Sequence, residues 1–161
     1  MNIQITARKF KAHDTLKEYI KDEVSSLERF NDEIIDAQGR VITIPNVNYH
    51  DHIYSRLAKG LSIKSDMSNF SNILKNLWWK LDSILDLEMI AASTKMAALE
   101  SIKNGVTYII DHHSSPNSAS GSLKVISDVL GEFDLRGVLC FETTDRNGKQ
   151  LSENGITENL N

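Results

Sequence analysis

The sequence predicts an α/β fold with parallel strands, and three observations predict it. From residue 47 onward the order is strand, helices, strand, helix, strand, helix. Short apolar strands separated by helices imply parallel pairing through right-handed crossovers. Two of the strands, 106–110 (VTYII) and 138–141 (VLCF), are continuous apolar runs, as expected of strands buried on both faces.

Taken in order, residues 2–7 (NIQITA) alternate apolar and polar side chains, the period of a half-buried strand. A helix follows from about His13, with Asp14 and Thr15 as cap candidates. Its stripe is Leu16, Tyr19, Ile20, Val24, Leu27 and Phe30. Residues 39–44 are rich in β-branched side chains and read as a short strand. Pro45 and Asn46 interrupt, and 47–52 form the next strand. A helical pattern covers 68–85, with Phe70, Ile73, Leu74, Leu77, Trp78, Leu81 and Leu85 on its apolar side. A second starts after Asp86, a good N-cap, and stops at Asn104-Gly105, where glycine supplies the left-handed conformation. After the strand 106–110 comes a polar loop, 111–118. A helix through Leu123, Ile126, Val129, Leu130 and Phe133 then leads to the strand 138–141. The tail from about Gln150 is weakly helical.

Composition excludes several classes. The chain has 161 residues, 40% hydrophobic and 25% charged, enough for one ordinary domain or two small pieces with a packed core. Apolar content is too high for a disordered chain. No apolar run approaches 18 residues, and no secretory pattern opens the chain, so neither a membrane partner nor export is expected. A net charge of -4 argues against general nucleic-acid binding, although a local basic face stays open. A single cysteine, Cys140, excludes an internal disulfide, fits a cytoplasmic location, and reads as a small buried hydrophobe.

His50 and His52 are the candidate metal-binding pair. At the end of a strand, a two-residue spacing puts both imidazoles on one face, where they can share a cation. The alternative is a pair of polar strand-end histidines. Asp111, His112 and His113 follow the next strand and would share the rim of a parallel sheet, or form a polar loop that caps a helix. Glu142 closes the third strand, as a proton carrier or a solvated carboxylate. Trp78 and Trp79 point about 100° apart on a helix, so one packs inward and the other covers a neighbour or a pocket edge.

The strings DAQGRVITIPNVNYHDHIYSRLAKGLSIK, NLWWKLD, NGVTYIIDHHSSPNSASGSL and CFETTDRNGKQLSENGITEN resemble the amidohydrolase superfamily. Within it they resemble the aminohydrolase and chlorohydrolase branch, and the SsnA-type aminohydrolases in particular. The likeness covers about residues 35–161. It implies an incomplete (β/α)8 TIM-barrel fragment of about three strands, preceded by a β-sandwich remnant at 39–44. It implies hydrolysis of a C–N bond, the deamination of a nitrogen heterocycle. His50 and His52 would hold a divalent metal, zinc, and His112, His113 and Glu142 would face the substrate; no catalytic residue is assigned. The sequence departs from the family at Pro45-Asn46 and Lys59-Gly60. More seriously, the later metal ligands and proton-transfer residues have no counterpart, which implies a truncated chain, inactive alone, with open sheet edges through which it could self-associate.

Residues 1–34 instead resemble the opening strand and helix of ribosome hibernation promoting factors. That likeness implies a chimera with a short β-α segment in front. Its alternative function is ribosome binding through Arg8, Lys9 and Lys11.

Overall fold

The computed structural model describes residues 44–161 together with Asp14, Thr15, Lys17, Glu18, Lys21 and Asp22. The chain divides into two compact units, Met1–Ile44 and Pro45–Asn161. In the first, the six described residues between Asp14 and Asp22 are helical, on the segment where periodicity predicts a helix. Lys17 Nζ donates to Asp14 Oδ1 at 2.9 Å, one turn away. The strand expected at 2–7 and the basic residues Arg8, Lys9 and Lys11 lie outside the described residues, as does the strand at 39–44 except for Ile44, which is not in a strand.

The second unit is a three-stranded parallel sheet with helices. Strand β1 is Asn46–Asp51, β2 is Val106–His113 and β3 is Arg136–Phe141, in the spatial order β1-β2-β3. A 3-10 turn, Ile53–Ala58, follows β1 directly. Next comes a helical run in three parts: α1 (Phe70–Ile73), a π-helical segment (Leu74–Trp78) and α2 (Trp79–Ile84). Helix α3 is Leu87–Lys103, α4 is Ser122–Glu132 and α5 is Lys149–Leu160, with a 3-10 turn at Pro116–Ser118.

Local chemistry explains these boundaries. The Asp86 carboxylate accepts the Met89 N–H at 2.7 Å and starts α3. Gly105, at φ +67°, stops it and turns the chain into β2. Small residues on the inner face of α3, Ser93, Thr94, Ala97, Ala98 and Ser101, let this helix sit close to its neighbours. The core joins Ile53, Ile90, Ile109, Ile126, Leu130 and Leu135 with Ala97 and Ala98. It follows the odd residues of β2: Ile109, Asp111 and His113 are buried, while Tyr108, Ile110 and His112 are only half-buried. Gly137 sits where β3 passes β2, and a Cβ there would lie 2.4 Å from the Ile109 carbonyl oxygen.

Three expectations are corrected. β2 runs to His113, so Asp111, His112 and His113 belong to the strand rather than to a loop; their side chains are polar, but their backbone continues the β2–β3 ladder, opposite Leu139, Cys140 and Phe141. β3 is not buried on both faces: Val138 is 51% exposed and Cys140 is exposed, because β3 is an edge strand and its even face carries little cover. Nor is Cys140 a buried hydrophobe; its thiol contacts the Asp111 carbonyl at 3.5 Å. Among the described residues no helix is long and apolar enough to cross a membrane.

Candidate functional site

The site grows from the C-terminal end of β1. Asp51, between the two histidines, points to the buried side. Its Oδ1 accepts the His52 N–H at 2.7 Å, and its Oδ2 accepts from Asn48 Nδ2 at 2.7 Å and Arg56 Nη2 at 2.5 Å. The 3-10 turn after His52 is fixed from two directions. Asp111 Oδ1 accepts the Ile53 N–H at 2.7 Å, and Ser93 Oγ donates to the Ile53 carbonyl at 2.7 Å while accepting the Arg56 N–H at 3.1 Å. Asp111 is fully buried and its Oδ2 is unpartnered among the described residues. Burial is the largest influence on its carboxyl and pushes it up to about 7, against the opposing Ile53 hydrogen bond.

This scaffold presents His50 and His52 side by side. Their Nε2 atoms are 3.1 Å apart and their rings meet edge-on, with centroids 4.8 Å apart. His52 Nδ1 lies 2.9 Å from the His112 carbonyl oxygen. A carbonyl only accepts, so Nδ1 carries a proton and this hydrogen bond turns the Nε2 atom of His52 towards His50. That is the orienting arrangement metal-binding imidazoles use. Two ligands of a tetrahedral zinc, each about 2.0–2.1 Å from the ion, stand about 3.3 Å from one another. The donor type, separation and orientation therefore fit two ligands of a divalent ion. A third does not join them: among the described residues no group of three histidine, cysteine, aspartate or glutamate side chains could hold a metal.

Beside the pair opens a cavity of about 300 Å³. Its lining combines the apolar Tyr54, Phe70, Leu74, Trp78 and Trp79 with two imidazoles, His52 and His112, and three charged side chains, Asp82, Glu142 and Arg146. Trp78 tilts against His52 and meets Tyr54 edge-to-face, at centroid distances of 5.6 and 5.9 Å. Trp79 lies under the Arg146 guanidinium at 5.4 Å. Neither tryptophan is purely a core residue; both edge the cavity.

The charged side chains form a closed cluster. Arg146 Nη1 donates to both Glu142 oxygens at 2.6 Å, and Arg146 Nη2 donates to Asp82 Oδ2. Ser114 Oγ donates to Glu142 Oε2 at 2.8 Å and lies 3.3 Å from Asp82 Oδ2. Burial, the largest influence, pushes the Asp82 carboxyl up to about 6, with Arg146 lowering it and Glu142 raising it again.

The structure thus brings His50, His52 and His112 together, with His52 and His112 rings 5.5 Å apart, and places Glu142 in the lining of the same cavity. His113 goes elsewhere. Successive strand residues face opposite sides, so it points into the core while His112 points out. It is fully buried between Tyr54 and Phe141, with Nε2 2.9 Å from Ser115 Oγ, and does not line the cavity. Burial drives its pKa down to about 3, so it is neutral. Asp82, Ser114 and Arg146 were not singled out from the sequence. The strings NLWWKLD and CFETTDRNGKQ hold two of them, but no spacing rule joins positions 64 residues apart.

No family model matches the chain. Curated relatives do. A 5-methylthioadenosine/S-adenosylhomocysteine deaminase of Thermococcus onnurineus is 26% identical over 141 residues, which is 88% of this chain and 31% of that protein. A 5'-deoxyadenosine deaminase of Methanobrevibacter smithii is 27% identical over 129 residues, 80% of this chain and 27% of that protein. A 5-methylthioadenosine/S-adenosylhomocysteine deaminase of Bacillus cereus strain AH187 is 32% identical over 80 residues, half of this chain and 18% of the relative. These relatives are deaminases. The chain spans about three-tenths of the length of the first two of these relatives.

Proposed function

We propose that this chain is part of a metal-dependent deaminase of the amidohydrolase superfamily, acting on the amino group of a purine nucleoside-type heterocycle. The observation that carries the reading is the converging Nε2 pair of His50 and His52, with His52 oriented by the His112 carbonyl, at the edge of an aromatic cavity. The parallel strand order, with the pair at the C-terminal end of β1, is the placement expected for three strands of a (β/α)8 barrel. The named deaminase relatives supply the reaction class and the heterocycle.

In this reading His50 and His52 hold a divalent cation, zinc by donor type. When bound, such an ion brings the pKa of a coordinated water towards about 7 and polarises the electrophile. The chain's own residues do the rest. Trp78, Tyr54 and Phe70 offer ring faces and edges to a flat heterocycle and exclude water from one side of it. His112 and Glu142 stand within the cavity as groups able to hold or pass a proton or accept a ligand N–H. Neutral His113 supports the Tyr54 ring from behind. Two imidazoles make an incomplete catalytic site, so the isolated chain binds the ion weakly and turns over nothing.

Two measurements test this. Titration with zinc or cobalt(II) should show one binding site per chain, abolished by either His50→Ala or His52→Ala; binding that survives both changes overturns the metal assignment. Ammonia release from adenosine, 5'-deoxyadenosine and methylthioadenosine in added zinc should be absent for this chain. Measurable release would overturn the inactivity.

A further inference from the structure

The Asp82–Arg146–Glu142 wall gives the cavity a charge preference that the metal pair does not determine. Arg146 is the one cation among the residues lining this cavity, and both its terminal nitrogens already serve carboxylates. Its Nε–H is unpartnered, but it belongs to a guanidinium facing two carboxylates. Paired in this way, Arg146 offers little to an incoming anion. Asp82, in contrast, keeps an acceptor in reserve. Its side chain is 3% exposed, it forms part of the cavity wall, and its Oδ1 has no hydrogen-bond partner among the described residues. A buried acceptor without a donor is costly, and a ligand N–H or O–H removes that cost. Glu142, with 26% of its side chain exposed, is the more accessible carboxylate of the pair.

We propose that this end of the cavity selects neutral or cationic ligands that donate hydrogen bonds and refuses ligands that carry a negative charge there. The inference rests on the reading of the cavity as the heterocycle site and adds the charge class of what the site admits. The aromatic rings of the cavity suit a cation or a flat neutral ring equally.

Both tryptophans of the chain, Trp78 and Trp79, line the cavity, so their fluorescence reports occupancy directly. The full chain is titrated at pH 7.5, in chelator, with adenosine and with adenosine 5'-monophosphate, which share the ring and differ in charge. Adenosine should quench saturably and the monophosphate should bind at least about tenfold more weakly, a gap that narrows with salt. Glu142→Gln, whose fold is checked by circular dichroism, should cut that gap several-fold by removing one negative charge. Equal or tighter binding of the monophosphate, an unchanged ratio in Glu142→Gln, or no quenching by either compound overturns the proposal. The outcome is separable from the deaminase reading because no metal is present. Failure of zinc binding leaves the ratio standing, and a failed ratio leaves the histidine pair standing.

Discussion

Asp111 shows what a single buried group does at this site. It is fully buried and holds the turn after His52 through the Ile53 N–H, 58 positions earlier in the chain. Desolvation raises its folded pKa from 3.8 to about 7. A carboxyl raised in this way binds its proton more tightly folded than unfolded. Its contribution to stability is therefore fully present below about pH 4 and is lost as pH rises to 7. At 1.36 kcal/mol per unit the loss amounts to at most about 4 kcal/mol. His113 works in the opposite direction: its depressed pKa removes stability as pH falls from about 6.5 towards 3. The two partly cancel in the natural chain, so a variant must separate them. Asp111→Asn keeps an acceptor for Ile53 but has no charge to bury. Unfolding free energies from urea titrations between pH 4 and 8 should rise for the variant relative to the natural chain as pH increases, by an amount on the order of 1–4 kcal/mol at the alkaline end. A constant difference across that range would show that Asp111 does not titrate between the two states.

Elements whose ends are local were legible in the sequence; elements held from afar were not. Asp86 caps α3 and Gly105 ends it, as the pattern predicts, because a cap and a left-handed stop are decided within four residues. The convergence of His50 and His52 was legible for the same reason, strand alternation being a two-residue rule. The 3-10 turn at Ile53–Ala58 was not, since its anchors, Ser93 and Asp111, come from α3 and β2. The exposure of β3 was hidden too: an apolar run does not reveal whether its strand lies at an edge. Helix α4 illustrates a remote anchor with a measurable consequence. Its N-cap position is Gly121, which has no side chain to cap with, and the Glu158 carboxylate from α5 fills the role. Oε2 accepts the Gly121 N–H and Oε1 the Leu123 N–H, both at 2.9 Å, next to the positive end of the helix dipole. Glu158→Gln leaves one acceptor and removes the charge, so it should cost about 1–2 kcal/mol in thermal or urea unfolding. A cost near zero would mean that water serves those N–H groups equally well.

At the scale of the whole second unit, the open question is the sheet edge. A three-stranded parallel sheet has two edges, and β3 forms one of them. Strand edges offer unpaired N–H and C=O groups to any other strand, and proteins block them with short strands, charges or covering elements. Here Asn159 of α5 supplies the block. Its Oδ1 accepts the Phe141 N–H at 2.8 Å and its Nδ2 donates to the Phe141 carbonyl at 2.9 Å, so one amide imitates the pairing of a neighbouring strand. Gly155 allows the approach: a Cβ there would lie 3.0 Å from the Glu142 carbonyl oxygen and 3.1 Å from the Phe141 ring. The same contacts seat Glu158, one residue earlier, on the α4 terminus. Helix α5 therefore joins the edge of the sheet to the start of α4 through two adjacent side chains. Asn159→Ala removes both mimic bonds and should destabilise the unit by about 1–2 kcal/mol. It should also speed hydrogen exchange at Phe141 and throughout α5, because the helix loses its hold on the strand. With the edge released, sedimentation should become more concentration-dependent than for the natural chain. Unchanged exchange in α5 would mean that Glu158 alone holds the helix, and unchanged sedimentation would mean that the Phe141 edge is not what keeps other strands away.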